Sequence, residues 1–291
     1  MLPGMFKRQK TGSVVCVSCG SLVGVNDEQC YTCGRRNPGL WGFAPLLRNL
    51  GNDFEFVPLA LYGCSAMYVF SLLLTIKDGG DIMGGGLFSM LQPGDLAAIR
   101  LGATGRYPVL RLHMWWTVLS AGWLHGGALH ILFNMMALRQ IGPAAAEIYG
   151  GSRVTIIYIV SSACGFILSI YGPRLPLIGG GAPLTLGASA AIFGLVGALM
   201  YYGRSRGSSL MTSQLTSYVV SMAILGIIIP NIDNYAHAGG FIGGYLVAKG
   251  LDPRKPAGPL HVLGAIVCLV ATVLAILTSL VFVNEQLKLL Q

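Results

Sequence analysis

The sequence predicts an all-α, polytopic membrane protein with a small cysteine-bearing module at its amino-terminal end. Three observations carry that expectation. Hydrophobic residues make up 54% of the 291-residue chain and charged residues only 10%, with a mean hydropathy of +0.66, whereas soluble domains carry about 25% charged residues. The apolar residues gather in seven runs at about 57–76, 126–141, 154–171, 184–202, 215–229, 236–248 and 260–283, and most are long enough to cross a bilayer as helices. Ahead of them stand two Cys-x2-Cys pairs. The net charge of +8 does not indicate a nucleic-acid partner, because basic residues in such a chain mark its cytoplasmic loops.

In chain order, residues 1–45 form the expected soluble module. Cys16-x2-Cys19-Gly and Cys30-x2-Cys33-Gly can each make a knuckle whose glycine relieves a tight turn, so that four thiolates face one tetrahedral ion. Four thiolates suit one structural zinc better than iron. Disulfides are the alternative for the same spacing, disfavoured where the compartment is reducing. Cys64, Cys164 and Cys268 stand alone inside apolar runs and read as small packing residues. Lys7, Arg8 and Lys10 lead into this polar module and not into an apolar run, so no cleavable signal peptide is expected. Residues 46–56 are a linker, 57–283 the transmembrane domain and 284–291 a tail.

Between the first two runs, roughly residues 77–112 are glycine-rich with scattered charges. The patches LFSML and LAAIRLGA and the pair Trp115-Trp116 suggest a loop lying partly in the membrane interface, where tryptophan is favoured. On the second run His130 and Asn134 are four residues apart and share one helix face. Two such groups are costly in hydrocarbon, which points to a wet cavity. The fourth run, 184–202, carries Ser189 among Gly187, Ala188, Ala190 and Ala191. The sixth opens on His237.

Most of the 19 basic residues, from Lys7, Arg8 and Lys10 to Arg254 and Lys255, fall on one side if the amino terminus is cytoplasmic, so that orientation is expected. Seven spans then put the carboxyl terminus outside. Ser189 would lie about five residues, roughly 8 Å, below the start of its helix, at a depth similar to His237. Gly239 and Gly243, Gly240 and Gly244, and Gly194, Gly197 and Ala198 would let the helices approach closely. Phe193, four residues after Ser189, would share its face and pack on the imidazole. A packing serine and ordinary glycine-mediated association are the alternative. They do not account for serine and histidine at matching depths, which read as a nucleophile and base beside an oxyanion site.

The motifs His125-Gly-Gly-Ala-Leu-His130-x3-Asn134, Gly187-Ala-Ser189-Ala and Ala236-His237-Ala-Gly-Gly, in this order on these runs, resemble the rhomboid intramembrane serine proteases over about residues 57–283. The resemblance implies a rhomboid-like six-helix core plus a seventh carboxyl-terminal helix. It implies Ser189 as nucleophile and His237 as general base, a dyad without a third carboxylate. The oxyanion hole would be the Ser189 backbone N–H with His130 and Asn134, and His125, Gly187 and Phe193 would line the wall. No catalytic cofactor is expected. The substrates would be transmembrane proteins, cut in or near their membrane segments, in a cavity open to the non-cytoplasmic face. A non-catalytic relative that binds and escorts membrane-protein clients is the second reading, and a transporter a distant third, since the spans carry no charged residue apart from Arg139 at the end of the second. Ala190 and Thr117 depart from the family pattern, where glycine and arginine are usual, and Thr117 is expected to loosen the interfacial loop.

Overall fold

A computed structural model of the chain describes residues 8–45, 55–83, 90–172, 181–229, 232–255 and 257–289. Most of the expected linker 46–56, most of the LFSML patch and part of the loop 230–235 lie outside the described residues.

The amino-terminal module is built on strands β1 (Ser13–Val15) and β2 (Leu22–Gly24), antiparallel with Val14 opposite Val23. Val14, Val17, Val23 and Val25 turn inward with Cys16 and Cys30 to make its core. So few apolar residues do not stabilise a fold alone. The remaining support comes from the knuckles. Gly20 N–H donates to the Cys16 carbonyl (3.0 Å) and Gly34 N–H to that of Cys30 (2.8 Å), and both glycines take positive φ, 81° and 72°, where a side chain would be strained.

All seven apolar runs contain helices: α1 (Phe56–Lys77), α5 (Ala128–Tyr149), α6 (Gly151–Tyr171), α7 (Ser189–Ser205), α8 (Ser209–Ile228), α9 (Asn234–Gly250) and α10 (Pro259–Lys288). Three short helices, α2 (Asp95–Arg100), α3 (Arg106–Leu110) and α4 (Thr117–Ser120), fold the glycine-rich segment after α1. By length and composition α1, α6, α8 and α10 can each cross a membrane, and the protein is an integral membrane protein. The second run extends further than expected, passing Pro143 to end at Tyr149. Proline is tolerated in membrane helices because neighbouring groups re-satisfy the backbone.

The fourth run departs from expectation in a way that matters for the site. It is not helical from residue 184. Thr185 pairs with Thr104 across an isolated bridge, exchanging backbone bonds of 2.6 and 3.0 Å, and Gly187 has φ +133°, which no right-handed helix accommodates. Helix α7 therefore starts at Ser189 itself, not five residues earlier. It is 17 residues long, about 25 Å, and so is shorter than a bilayer core.

Helix α7 is the buried axis of the domain: every residue from Ala190 to Met200 is buried, against α5, α6, α8 and α9. In lipid the hydrophobic effect does not drive helices together, so close van der Waals packing does. The two glycine pairs on α9 divide that work. A side chain on Gly240 or Gly244 would run into the backbone of Ala190 or Gly194 on α7, while Gly239 and Gly243 meet Gly165 and Cys164 on α6. Helix α8 is peripheral, with Gly226 as its one buried residue.

Helix α10 lies along α6 and reaches the interfacial segment, where the Trp116 indole N–H donates to Ser279 Oγ (2.9 Å). Thr117 is fully buried, with its hydroxyl bonding Thr104 Oγ1 (2.9 Å) and the Met114 carbonyl (2.7 Å). It fastens the segment; the expectation that threonine would loosen it is not met, because its short side chain fits a buried polar pair. At the far end of the helices the Val17 carbonyl of the cysteine module lies beside Gly258, between α9 and α10.

Candidate active site

Ser189 occupies the first turn of α7, after Ala188 as cap. The backbone N–H groups of a first helical turn lack intrahelical acceptors and the helix dipole favours negative charge there. The turn in the backbone at Gly187 thus starts the helix at Ser189, leaving its hydroxyl half-buried and its N–H without an acceptor among the described residues. A Cβ on Gly187 would sit 2.7 Å from His130 Nε2 and 3.8 Å from Ser189 Oγ, so the absent side chain leaves the space these two groups face.

His237 lies in the first turn of α9 and is half-buried. Three residues on, Gly240 presses against the Ala190 backbone, so the first turn of α9 lies beside the first turn of α7. Phe193, one turn along α7 from Ser189, stacks on the His237 ring with centroids 4.4 Å apart and planes at 16°. That contact fixes the imidazole plane. The Ser189 hydroxyl makes no hydrogen bond to His237 among the described residues.

His130 is held by its partner atom. Gly126 N–H donates to its Nδ1 (3.3 Å), so the neutral ring carries its proton on Nε2, the nitrogen that faces Gly187. Asn134 is buried, and its Nδ2 donates to the His130 carbonyl (2.9 Å); the amide keeps one further N–H. His125 is buried edge-on to His130, ring centroids 5.2 Å apart. Neither of its ring nitrogens has a hydrogen-bond partner among the described residues.

Residues Ser189, His237, His130, Asn134, His125, Gly187 and Phe193 thus gather at the end of the bundle where α7 and α9 begin. Sequence reasoning missed a second polar link at that end. Asp233, the cap of α9, accepts from Ala236 N–H (3.0 Å) and from the Ser169 hydroxyl (2.6 Å), and Ser169 Oγ accepts from Ala182 N–H (3.3 Å). The aspartate directly before an apolar helix was a readable cap signal; its reach to α6 was not.

The cysteines form a separate cluster, with all four sulfurs within 4.8 Å of one another. Cys16 and Cys33 Sγ are 3.8 Å apart and Cys19 and Cys30 Sγ 3.6 Å, too far for a disulfide. Sulfurs about 2.3 Å from one tetrahedral ion stand about 3.8 Å apart, so the group could hold a metal ion. Hydrogen bonding with the Ser21 hydroxyl and backbone pulls the Cys19 thiol down to about 6, while desolvation and the neighbouring cysteines push Cys33 up to about 11; an ion would need all four as thiolates.

Comparison with known proteins agrees with this architecture. Residues 112–253 match the Rhomboid domain family model, a stretch running from the segment before α4 to just past α9. The chain is 34% identical over 163 residues to the rhomboid protease GluP of Bacillus subtilis (strain 168), covering 55% of this chain and 31% of that protein. It is 33% identical over 169 residues to RHOMBOID-like protein 7 of Arabidopsis thaliana, covering 54% and 50%. It is also 28% identical over 159 residues to a relative named inactive, RHOMBOID-like protein 8 of Arabidopsis thaliana, covering 53% and 43%. The chain spans about a third to a half of the length of these relatives.

Proposed function

From the rhomboid domain that residues 112–253 carry, we propose that this protein is an intramembrane serine endopeptidase that hydrolyses peptide bonds in or near the transmembrane segments of membrane proteins. The observation that carries the reading is the convergence of Ser189, at a helix start, with His237 stacked on Phe193 and His130 Nε2 aimed at the Gly187 gap. A serine becomes nucleophilic when a base takes its proton. His237 takes that proton as Ser189 Oγ bonds the scissile carbonyl carbon, and returns it to the departing amine. The Ser189 N–H, His130 Nε2–H and the spare Asn134 N–H stabilise the oxyanion. Water, deprotonated by His237, then attacks the acyl carbon; the bond to Ser189 Oγ breaks, His237 returns the proton to Oγ, and the new carboxyl end leaves. The missing Ser189–His237 bond is compatible with this, since catalytic hydrogen bonds often tighten only around substrate.

The module, residues 1–45, holds one structural zinc through Cys16, Cys19, Cys30 and Cys33 in this reading, and no catalytic step passes through it. The basic residues and the position of Val17 beside Gly258 support a cytoplasmic amino terminus, with the site opening to the opposite face. Inactive relatives favour the escort reading as the alternative. Reconstitution of the full chain with a model single-span substrate separates the two. Cleavage by wild-type protein and none by Ser189→Ala is expected; client binding without cleavage by either overturns the protease reading.

A further inference from the structure

The base stands on a charged cap. Asp233 precedes α9 directly and His237 is four residues on, its backbone N–H donating to the Asp233 carbonyl (3.1 Å), so carboxylate and imidazole belong to the same first turn. The carboxylate does not bond the ring. Its Oδ1 accepts from Ala236 N–H and its Oδ2 from Ser169 Oγ, and His237 Nδ1, buried, has no partner among the described residues. Carboxylate and imidazole nevertheless share that first turn, close enough to interact through space, and among the described residues His130 also acts on His237. Capping needs only an oxygen acceptor, and asparagine or serine serves as well as aspartate. A full negative charge beside a base that must become cationic is a different matter.

We propose that Asp233 is a positioning residue of the catalytic site: its carboxylate, held by Ser169 and the α9 backbone, stabilises through space the imidazolium that forms when His237 takes the Ser189 proton. The inference rests on the protease reading and adds a third member, a carboxylate, to the expected dyad, acting by its field instead of by a hydrogen bond. Separation by about one helical turn in a partly wet, low-dielectric site is close enough for a unit charge to matter. Ser169 has a second part, since the same hydroxyl accepts from Ala182 N–H in the segment leading to Ser189. The carboxylate is thereby fixed relative to the nucleophile as well as the base.

The test compares the full chain in detergent with Asp233→Asn, which keeps the cap oxygen, removes the charge and meets Ser169 Oγ with an amide donor in place of an acceptor, and with Asp233→Ser as a second neutral cap should the first fail to fold. The probe is a fluorophosphonate, and the readouts are its second-order labelling rate at Ser189 against pH, thermal melting, and kcat and KM on a model substrate. The proposal expects labelling and kcat to fall about 5- to 10-fold with KM and melting unchanged, and the acid limb of the profile to move to lower pH, because a less stabilised imidazolium loses its proton more readily. Asp233→Glu should recover part of the rate. Labelled wild type with neutral variants equally fast makes Asp233 a helix cap only and overturns the proposal alone. A folded wild type that is never labelled removes the protease reading, and the proposal with it.

Discussion

The cysteine module and the α6–α7–α9 contact both hold short elements together without a large apolar core, and they do so by opposite means. In the module a handful of valines surround two knuckles, and four sulfurs within 4.8 Å of one another converge on one point. An ion held there would stand in for the missing core, because metal-binding free energy then becomes folding free energy. In the bundle, Gly240 and Gly244 bring the backbone of α9 against that of α7, and stability depends on space that no side chain occupies. The module is secured by what its residues donate, the bundle by what they omit. The proposed chemistry belongs to the second, because the close α7–α9 contact lies beside the helix starts that carry Ser189 and His237.

The comparison breaks most sharply at Gly240. Gly240→Val would put a branched side chain into the Ala190 backbone, an overpacking that costs about 1–3 kcal/mol or more and separates α7 from α9. Loss of all Ser189 labelling is expected, with metal content intact; a labelled variant would show that the helix contact does not set the site. Asn134→Ala should be next in size. If its spare N–H serves the oxyanion, turnover falls about 10²-fold with little change in KM, since such donors act mainly in the transition state. Weaker binding at unchanged turnover would make Asn134 a substrate contact instead. The smallest effect on chemistry is expected in the module. Cys16→Ser with Cys19→Ser should remove about one zinc per chain by metal analysis, yet leave the labelling rate within about twofold. A large fall in labelling would mean the module acts on the site from across the protein.

How far the sequence reached follows the same division. The module was legible in spacing alone, because a Cys-x2-Cys-Gly knuckle is a local structure and its ligand geometry follows from it. The seven helical runs were legible in composition. The start of α7 was not: residues 184–188 are apolar enough to continue a helix, and only the Thr104–Thr185 bridge, a contact between distant segments, pulls them out of it. Thr117 failed for the same reason, since its partner Thr104 is chosen by the fold. His130 and Asn134 were placed on one face by their spacing, but that the Asn134 amide would bond the His130 carbonyl needed the coordinates. The depth match of Ser189 with His237 was inferred from a helix start that proved wrong; what the structure shows is Gly240 against Ala190, which sets the first turns of α7 and α9 side by side.

One measurement bears most directly on the claim that Ser189 is an activated nucleophile with His237 as its base. An unactivated membrane serine keeps its proton at neutral pH and does not react with a fluorophosphonate. Detergent-solubilised wild-type protein treated with such a probe, digested and analysed by mass spectrometry should carry the adduct on Ser189. Ser189→Ala should carry none, and His237→Ala, shown to be folded by its thermal melt, should label at least about 100-fold more slowly. Folded wild-type protein that carries no adduct, or labels as fast without His237 as with it, would contradict the account.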